Sequence, residues 1–462
     1  MNLNKFPRYE DYSPSVPVYC LTPEMDGCLH RFFDTCPVSP SGRYLAALQM
    51  PYEDHSPLPG DAAKIIVVDL DTGEHRVVDE TRGWEAQMGA NINWGMNDDI
   101  LLYSDVDTSN WQPCCVKLNW KTGERKTFGR GIYHVSPDGR QVLCTSPAAM
   151  RRTQYGYGVI VPDDAVPRHL GMPDDDGLFI TDTETGECRL LISIREAIER
   201  TVPKSQLAEY EKYENYFFHS KWNPQGDRLL FTLRRFPIDQ PYRFSNLNHG
   251  TVLYDVFTMK PDGSELYNAV PADQWVKGGH HINWFPQGDK LSMNLGFKGD
   301  DVMRFTQVNY DGSDLGMIFE EPIGSGHPSF HPDMKYLVTD AYNSEPMAFD
   351  DGSIPIRLVN LEKRTEECIA RMQTQTPYRT EYPDLRVDPH PVWSRDFTKV
   401  IFNGYAGGTK LQLVGYLTAA YSGMRKFGAI FGLMASLIAA GSGLGPVAGG
   451  LIYDIWNSYA PG

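Results

Sequence analysis

The sequence predicts an all-β fold, a seven-bladed β-propeller followed by an apolar helical tail. Three observations carry this: a short motif recurs along the chain, a second type of hairpin alternates with it, and helix-like periodicity is scarce. The motif begins with His, places an aromatic residue three positions on and usually reaches Pro two positions later. Its clear copies are His219-Ser-Lys-Trp-Asn-Pro224, His281-Ile-Asn-Trp-Phe-Pro286, His327-Pro-Ser-Phe-His-Pro332 and His390-Pro-Val-Trp-Ser-Arg395. A turn and an apolar strand follow each, as in Gln225-Gly-Asp-Arg228 before Leu229-Leu-Phe231.

Weaker copies lie upstream, at Ser39-Pro-Ser-Gly-Arg43, Asn93-Trp-Gly-Met-Asn97 and Val135-Ser-Pro-Asp-Gly139, which brings the count to seven. The intervening hairpins turn at Thr-Gly or Asp-Gly, as in Ile65-Ile-Val-Val-Asp-Leu-Asp-Thr-Gly73 and Thr306-Gln-Val-Asn-Tyr-Asp-Gly312. Two hairpins per repeat make four strands, the content of one propeller blade.

Register then predicts a ring. The first strand of every blade lines the central channel. The position five residues before the turn Pro is Thr35, Asn91, Ile132, His219, His281, His327 or His390. A single His there is explained by capping of its hairpin. Four at equivalent positions point to a metal ion or a polyanion. Asp388 stands two residues before His390, and residues i and i+2 of a strand share a face. Mixed carboxylate and imidazole ligands suit Mn²⁺, Fe²⁺ or Zn²⁺.

The chain has 462 residues and a formal net charge of −16, which argues against nucleic acid as a partner. It divides into a polar arm, 1–20, expected to pack against the last blade, a propeller, 21–414, and a tail, 415–462. The N-terminus lacks the apolar core of a signal peptide. The eight cysteines show no metal-binding spacing, so a cytoplasmic protein with reduced thiols is expected. The segment 146–176 breaks the repeat and reads as a long inserted loop. Ile192–Arg200 reads as a helix capped by Ser193, and a second short helix follows from Ser205; both are expected to wall the channel. Arg31, Arg151 and Arg235 are candidate partners for a substrate carboxylate.

Phe427 to Tyr453 carries no charge and is long enough to span a bilayer. The stretch from Gly415 resembles the late helices of major facilitator superfamily transporters. It is expected to be either a membrane anchor or a non-functional appendage.

Residues 18–413 resemble the oligogalacturonate lyase family. The similarity rests on Leu21-Thr-Pro23 with Cys28-Leu-His-Arg-Phe-Phe33, on Gly279-His-His-Ile-Asn-Trp-Phe-Pro286 and on Asp388-Pro-His-Pro-Val-Trp393. The Ser-Pro-Asp-Gly hairpins are also common in TolB-like propellers. The resemblance implies a cytoplasmic seven-bladed propeller with Mn²⁺ in its channel, cleaving short galacturonides by β-elimination in pectin catabolism. It also implies His281 and His390 as metal ligands and His219 as the general base. Asp388 stands where the family has a third His and Leu385 where it has Gln; His327 is placed to fill that vacancy. The family's catalytic Arg aligns near Gly177 and is missing, with Arg151, Arg152 or Arg235 as substitutes. The rival expectation is a non-catalytic TolB-like propeller that binds a glycan or peptide. A prolyl-oligopeptidase-type hydrolase is disfavoured, because no Gly-x-Ser-x-Gly elbow follows.

Overall fold

The computed structural model describes residues 3–238, 252–275, 277–375, 385–406 and 410–416. Among them the strands form six four-stranded antiparallel sheets and one five-stranded sheet. Each four-stranded sheet takes its strands consecutively from the chain, as a propeller blade does. One of them runs Tyr213–Trp222, Leu229–Pro237, Leu253–Met259 and Tyr267–Val270.

The repeat count predicts seven blades of one kind, and six sheets have that form. The strands of the last repeat, Val392–Trp393 and Val400–Ala406, enter a composite sheet with Lys410–Tyr416 and two N-terminal strands, Val18–Cys20 and Arg8–Tyr9. Val18 pairs with Tyr416 and Cys20 with Val414. The reason is the open edge of Lys410–Tyr416, whose N–H and C=O groups need partners. The predicted arm therefore supplies strands, and the last strand runs two residues past the expected boundary at 414.

The recurring aromatic of the motif has a structural task. Its indole N–H reaches back to the neighbouring sheet: Trp94 Nε1 donates to Pro37 O at 2.7 Å, and Trp393 Nε1 to Ser329 O at 2.9 Å. Apolar clusters fill the spaces between sheets. One joins Leu48, Ile65 and Val67 to Trp94, Leu101 and Tyr103.

The helix at Ile194–Thr201 starts where expected, with Ser193 Oγ accepting the Glu196 N–H at 3.0 Å. Its apolar stripe of Ile194, Ala197 and Ile198 packs into the core with Leu178, Phe217 and Phe231. The second helix is one short turn, Leu207–Tyr210, because Tyr213 already begins a strand.

The predicted apolar tail and its transporter resemblance lie outside the described residues, apart from Gly415 and Tyr416 in the last strand. Among the described residues no helix is long and apolar enough to cross a membrane.

Candidate metal centre

The structure brings the four motif histidines together. His327 and His281 have ring centroids 3.7 Å apart, and His327 and His390 4.4 Å apart. Backbone geometry aims three of them. His219, His281 and His390 adopt φ of 48°, 60° and 50°, the left-handed region that side chains other than Gly rarely enter. Strand pairing shifts register around His219 and again around His281. A bulge adds a residue to one strand, bends it and re-aims its side chain. Such strain collects at functional positions.

The centre of the ring is not open. Phe32, fully buried, lies among the imidazoles: 5.1 Å from His219 in a stack, 4.6 Å from His390, 5.5 Å from His327 and 6.2 Å from His281. It belongs to a buried cluster with Phe33, Met88, Tyr133, Met150, Tyr157 and Phe218. The expectation that four imidazoles share one partner is therefore corrected. Phe32 separates His219 from the other three.

On the far side of Phe32, three donors converge. One ligand atom each of His327, Asp388 and His390 lie within 4.8 Å of one another, and all three residues are buried. His327 Nδ1 sits 2.9 Å from both Asp340 carboxylate oxygens. His390 Nδ1 donates to Arg31 O at 3.2 Å. An acceptor on Nδ1 keeps the proton there and leaves the Nε2 lone pair bare. Both Nε2 atoms are buried without a hydrogen-bond partner, and His390 Nε2 lies 4.0 Å from Asp388 Oδ2. Two orphaned imidazole nitrogens beside a carboxylate fit a divalent cation.

His281 stands next to this group with both nitrogens engaged. Its Nδ1 donates to Gly326 O at 2.5 Å and its Nε2 accepts from the Tyr342 hydroxyl at 3.1 Å. Burial pushes the pKa values of His281 and His390 well below the usual range.

His219 lies on the other side, hydrogen-bonded through Nδ1 to the Tyr133 hydroxyl. Burial lowers its pKa too. Arg31 covers the Tyr133 ring at 4.5 Å and pairs with Asp34. Lys221 meets the same carboxylate at 3.0 Å. Burial alone would raise the Asp34 pKa, but Arg31 and Lys221 hold it well below the carboxylate range.

The predicted carboxylate receptors are placed elsewhere or already held. Arg31 is committed to Asp34, Thr35 and Asn91. Arg235 pairs with Asp255 at 3.2 Å beneath the Tyr210 ring. Arg151 donates to Val161 O and pairs with Asp163 at 3.4 Å, on a surface cleft also lined by Gln154, Tyr155 and Tyr157. Neighbours on a strand point to opposite faces, so it is Arg234 that lies over Phe218, the residue before His219. Arg386 pairs with Asp388 at 3.0 Å and keeps 39% of its side chain exposed. The spacing of Arg386 and Asp388, two residues apart, is a sequence signal for this pair. Nothing in the motif announced Phe32, which lies outside the repeat, or Tyr133, whose counterparts after the ring histidines are Ser220, Ile282, Pro328 and Pro391.

The fold is an all-β propeller, and the solved structures it resembles are of that class. An oligogalacturonate lyase in complex with manganese matches with a TM-score of 0.62 at 15% identity, covering 90% of this chain and 96% of that one. The oligogalacturonate lyase of Vibrio parahaemolyticus matches with 0.59 at 14% identity, covering 89% and 96%. TolB from Acinetobacter baumannii follows at 0.36 and 12% identity, covering 70% and 63%. No family model matches the chain, and no curated protein matches it.

Proposed function

We propose that the protein is a divalent-metal-dependent lyase that cleaves short uronate chains, oligogalacturonides first among them, by β-elimination. The observation that carries this is the pair of bare Nε2 atoms on His327 and His390, converging with Asp388 in a propeller shaped like a manganese-bound lyase. His327, Asp388 and His390 would hold the ion, with His281 adjoining them, and Mn²⁺ is the expected metal. Bound there, a divalent cation would polarise a uronate carboxylate and stabilise the charge that develops beside it.

The chain's own residues supply the rest. β-Elimination removes the weakly acidic proton α to that carboxylate. His219 is the candidate base. Its Nδ1 is tied to Tyr133, so proton exchange with a substrate runs through Nε2. Burial keeps the ring neutral, as a base must be before it acts. A small oligouronide is the expected partner.

The test is metal content of the full-length protein and of His390→Ala, alongside the ultraviolet absorbance of the unsaturated product formed from digalacturonate. One metal lost in the variant, with product only from the parent, supports the reading. No metal in either protein overturns it. A second reading, a non-catalytic propeller that binds a glycan or peptide, is favoured by Phe32 and the burial of every candidate ligand. Metal without product from any uronate would select it.

A further inference from the structure

Six arginines are buried among the described residues: Arg31, Arg151, Arg228, Arg234, Arg235 and Arg357. Five have a carboxylate partner. Arg31 pairs with Asp34, Arg151 with Asp163, Arg228 with Glu265, Arg235 with Asp255 and Arg357 with Glu366. Arg234 has none among the described residues. It is 9% exposed, lies 3.7 Å over the Phe218 ring and 5.4 Å from that of Tyr254, and its Nη1 donates to Gln154 Oε1 at 3.0 Å. A buried cation is costly unless an anion accompanies it, and burial without one pulls the Arg234 pKa down.

Its surroundings say what the anion is for. Phe218 is joined to His219, their rings 3.8 Å apart. Gln154 lines the surface cleft with Tyr155 and Tyr157, and the Tyr157 ring is 5.3 Å from Phe218 and 6.3 Å from His219. An anion entering past Gln154 meets the guanidinium beside the candidate base. The flat guanidinium fork matches a carboxylate in two parallel hydrogen bonds.

We propose that Arg234 is the receptor for a carboxylate of the substrate, with Gln154 holding the guanidinium until the substrate displaces it. The proposal rests on the uronate reading and adds a specificity to it: free uronates over their methyl esters.

The test is calorimetric titration of the full-length chain with digalacturonate and with its methyl ester, with and without a chelator. The free acid is expected to bind at least about tenfold tighter than the ester even after chelation. Arg234→Gln is expected to abolish that preference, and Arg234→Lys to restore part of it. Gln154→Ala leaves the guanidinium free and is expected to bind the acid at least as tightly as the parent. Equal binding of acid and ester by the chelated parent overturns the proposal without any variant. So does an acid preference unchanged in folded Arg234→Gln. Product formation that survives Arg234→Gln intact sinks the receptor and leaves the lyase. Acid-selective binding with no product from any uronate keeps the receptor and sinks the lyase.

Discussion

The two sides of Phe32 are built on opposite principles. Around His219 most charges are matched within the protein, Arg234 excepted: Asp34 takes Arg31 and Lys221, Arg31 covers Tyr133, and Tyr133 holds His219. Around His390 the protein leaves its work unfinished. The Nδ1 atoms of His327 and His390 are fixed, and their Nε2 atoms are buried with no partner, that of His390 4.0 Å from Asp388. A folded chain rarely buries a polar atom without a partner. The first side is held largely by its own ion pairs, with Arg234 left over, and the second leaves two imidazole nitrogens to be met from outside. The same residue type, at equivalent positions of one repeat, serves both ends.

Breaking the finished side has the largest expected effect. Asp34→Asn leaves Arg31 and Lys221 buried with no anion, and the expected loss is about 3–5 kcal/mol in urea unfolding. A loss under about 1 kcal/mol would mean that the network adds little. The unfinished side behaves differently. Divalent metal at about a hundred times its dissociation constant is expected to stabilise the parent by about 3 kcal/mol and His390→Ala by none. Equal stabilisation of both would place the ion elsewhere.

Glu85 sharpens the contrast through pH. Its carboxylate accepts the Gly158 N–H in a buried setting, and burial pushes its pKa from 4.5 up to about 8. Between those values the folded state keeps a proton that the unfolded state has released. Stability contributed by this group is therefore full below the unfolded pKa and is lost as pH rises toward about 8. From about pH 5 to about pH 7 the parent is expected to lose on the order of 2 kcal/mol relative to Glu85→Gln, measured by unfolding at each pH. Parallel pH curves would contradict the assignment. The smallest effect tests the repeat itself. Trp393→Phe keeps one aromatic ring and removes the N–H donated to Ser329, a hydrogen bond worth about 1 kcal/mol, with the trimmed indole adding a further small packing loss in urea unfolding.

The periodic part of this molecule was legible in the sequence. The positions of His219, His281, His327 and His390 follow from counting back from a turn, because every blade repeats the same register. The centre of the ring was not. Phe32 comes from the lead-in to the first blade, so no period marks it, and its insertion among the imidazoles is a matter of tertiary packing. The choice between Arg234 and Arg235 also escaped pattern reading, since adjacent residues of a strand face opposite ways and this strand is buried on both faces. The composite sheet was legible in outline, since the arm was expected to pack against the last blade; that it does so as paired strands was not, because those strands lie outside the repeat.

That sheet has a consequence for how the molecule is made. Val18–Cys20, which pairs locally with Arg8–Tyr9, must wait through synthesis of the six intervening sheets before it can pair with Lys410–Tyr416. Pairing across such a separation is slow, because a long loop closes before any contact rewards it. The intervening sheets draw only on neighbouring sequence and can assemble as they leave the ribosome. The two strands of the arm then act as a clasp on a finished necklace, fastened after the sheets that lie between its two halves.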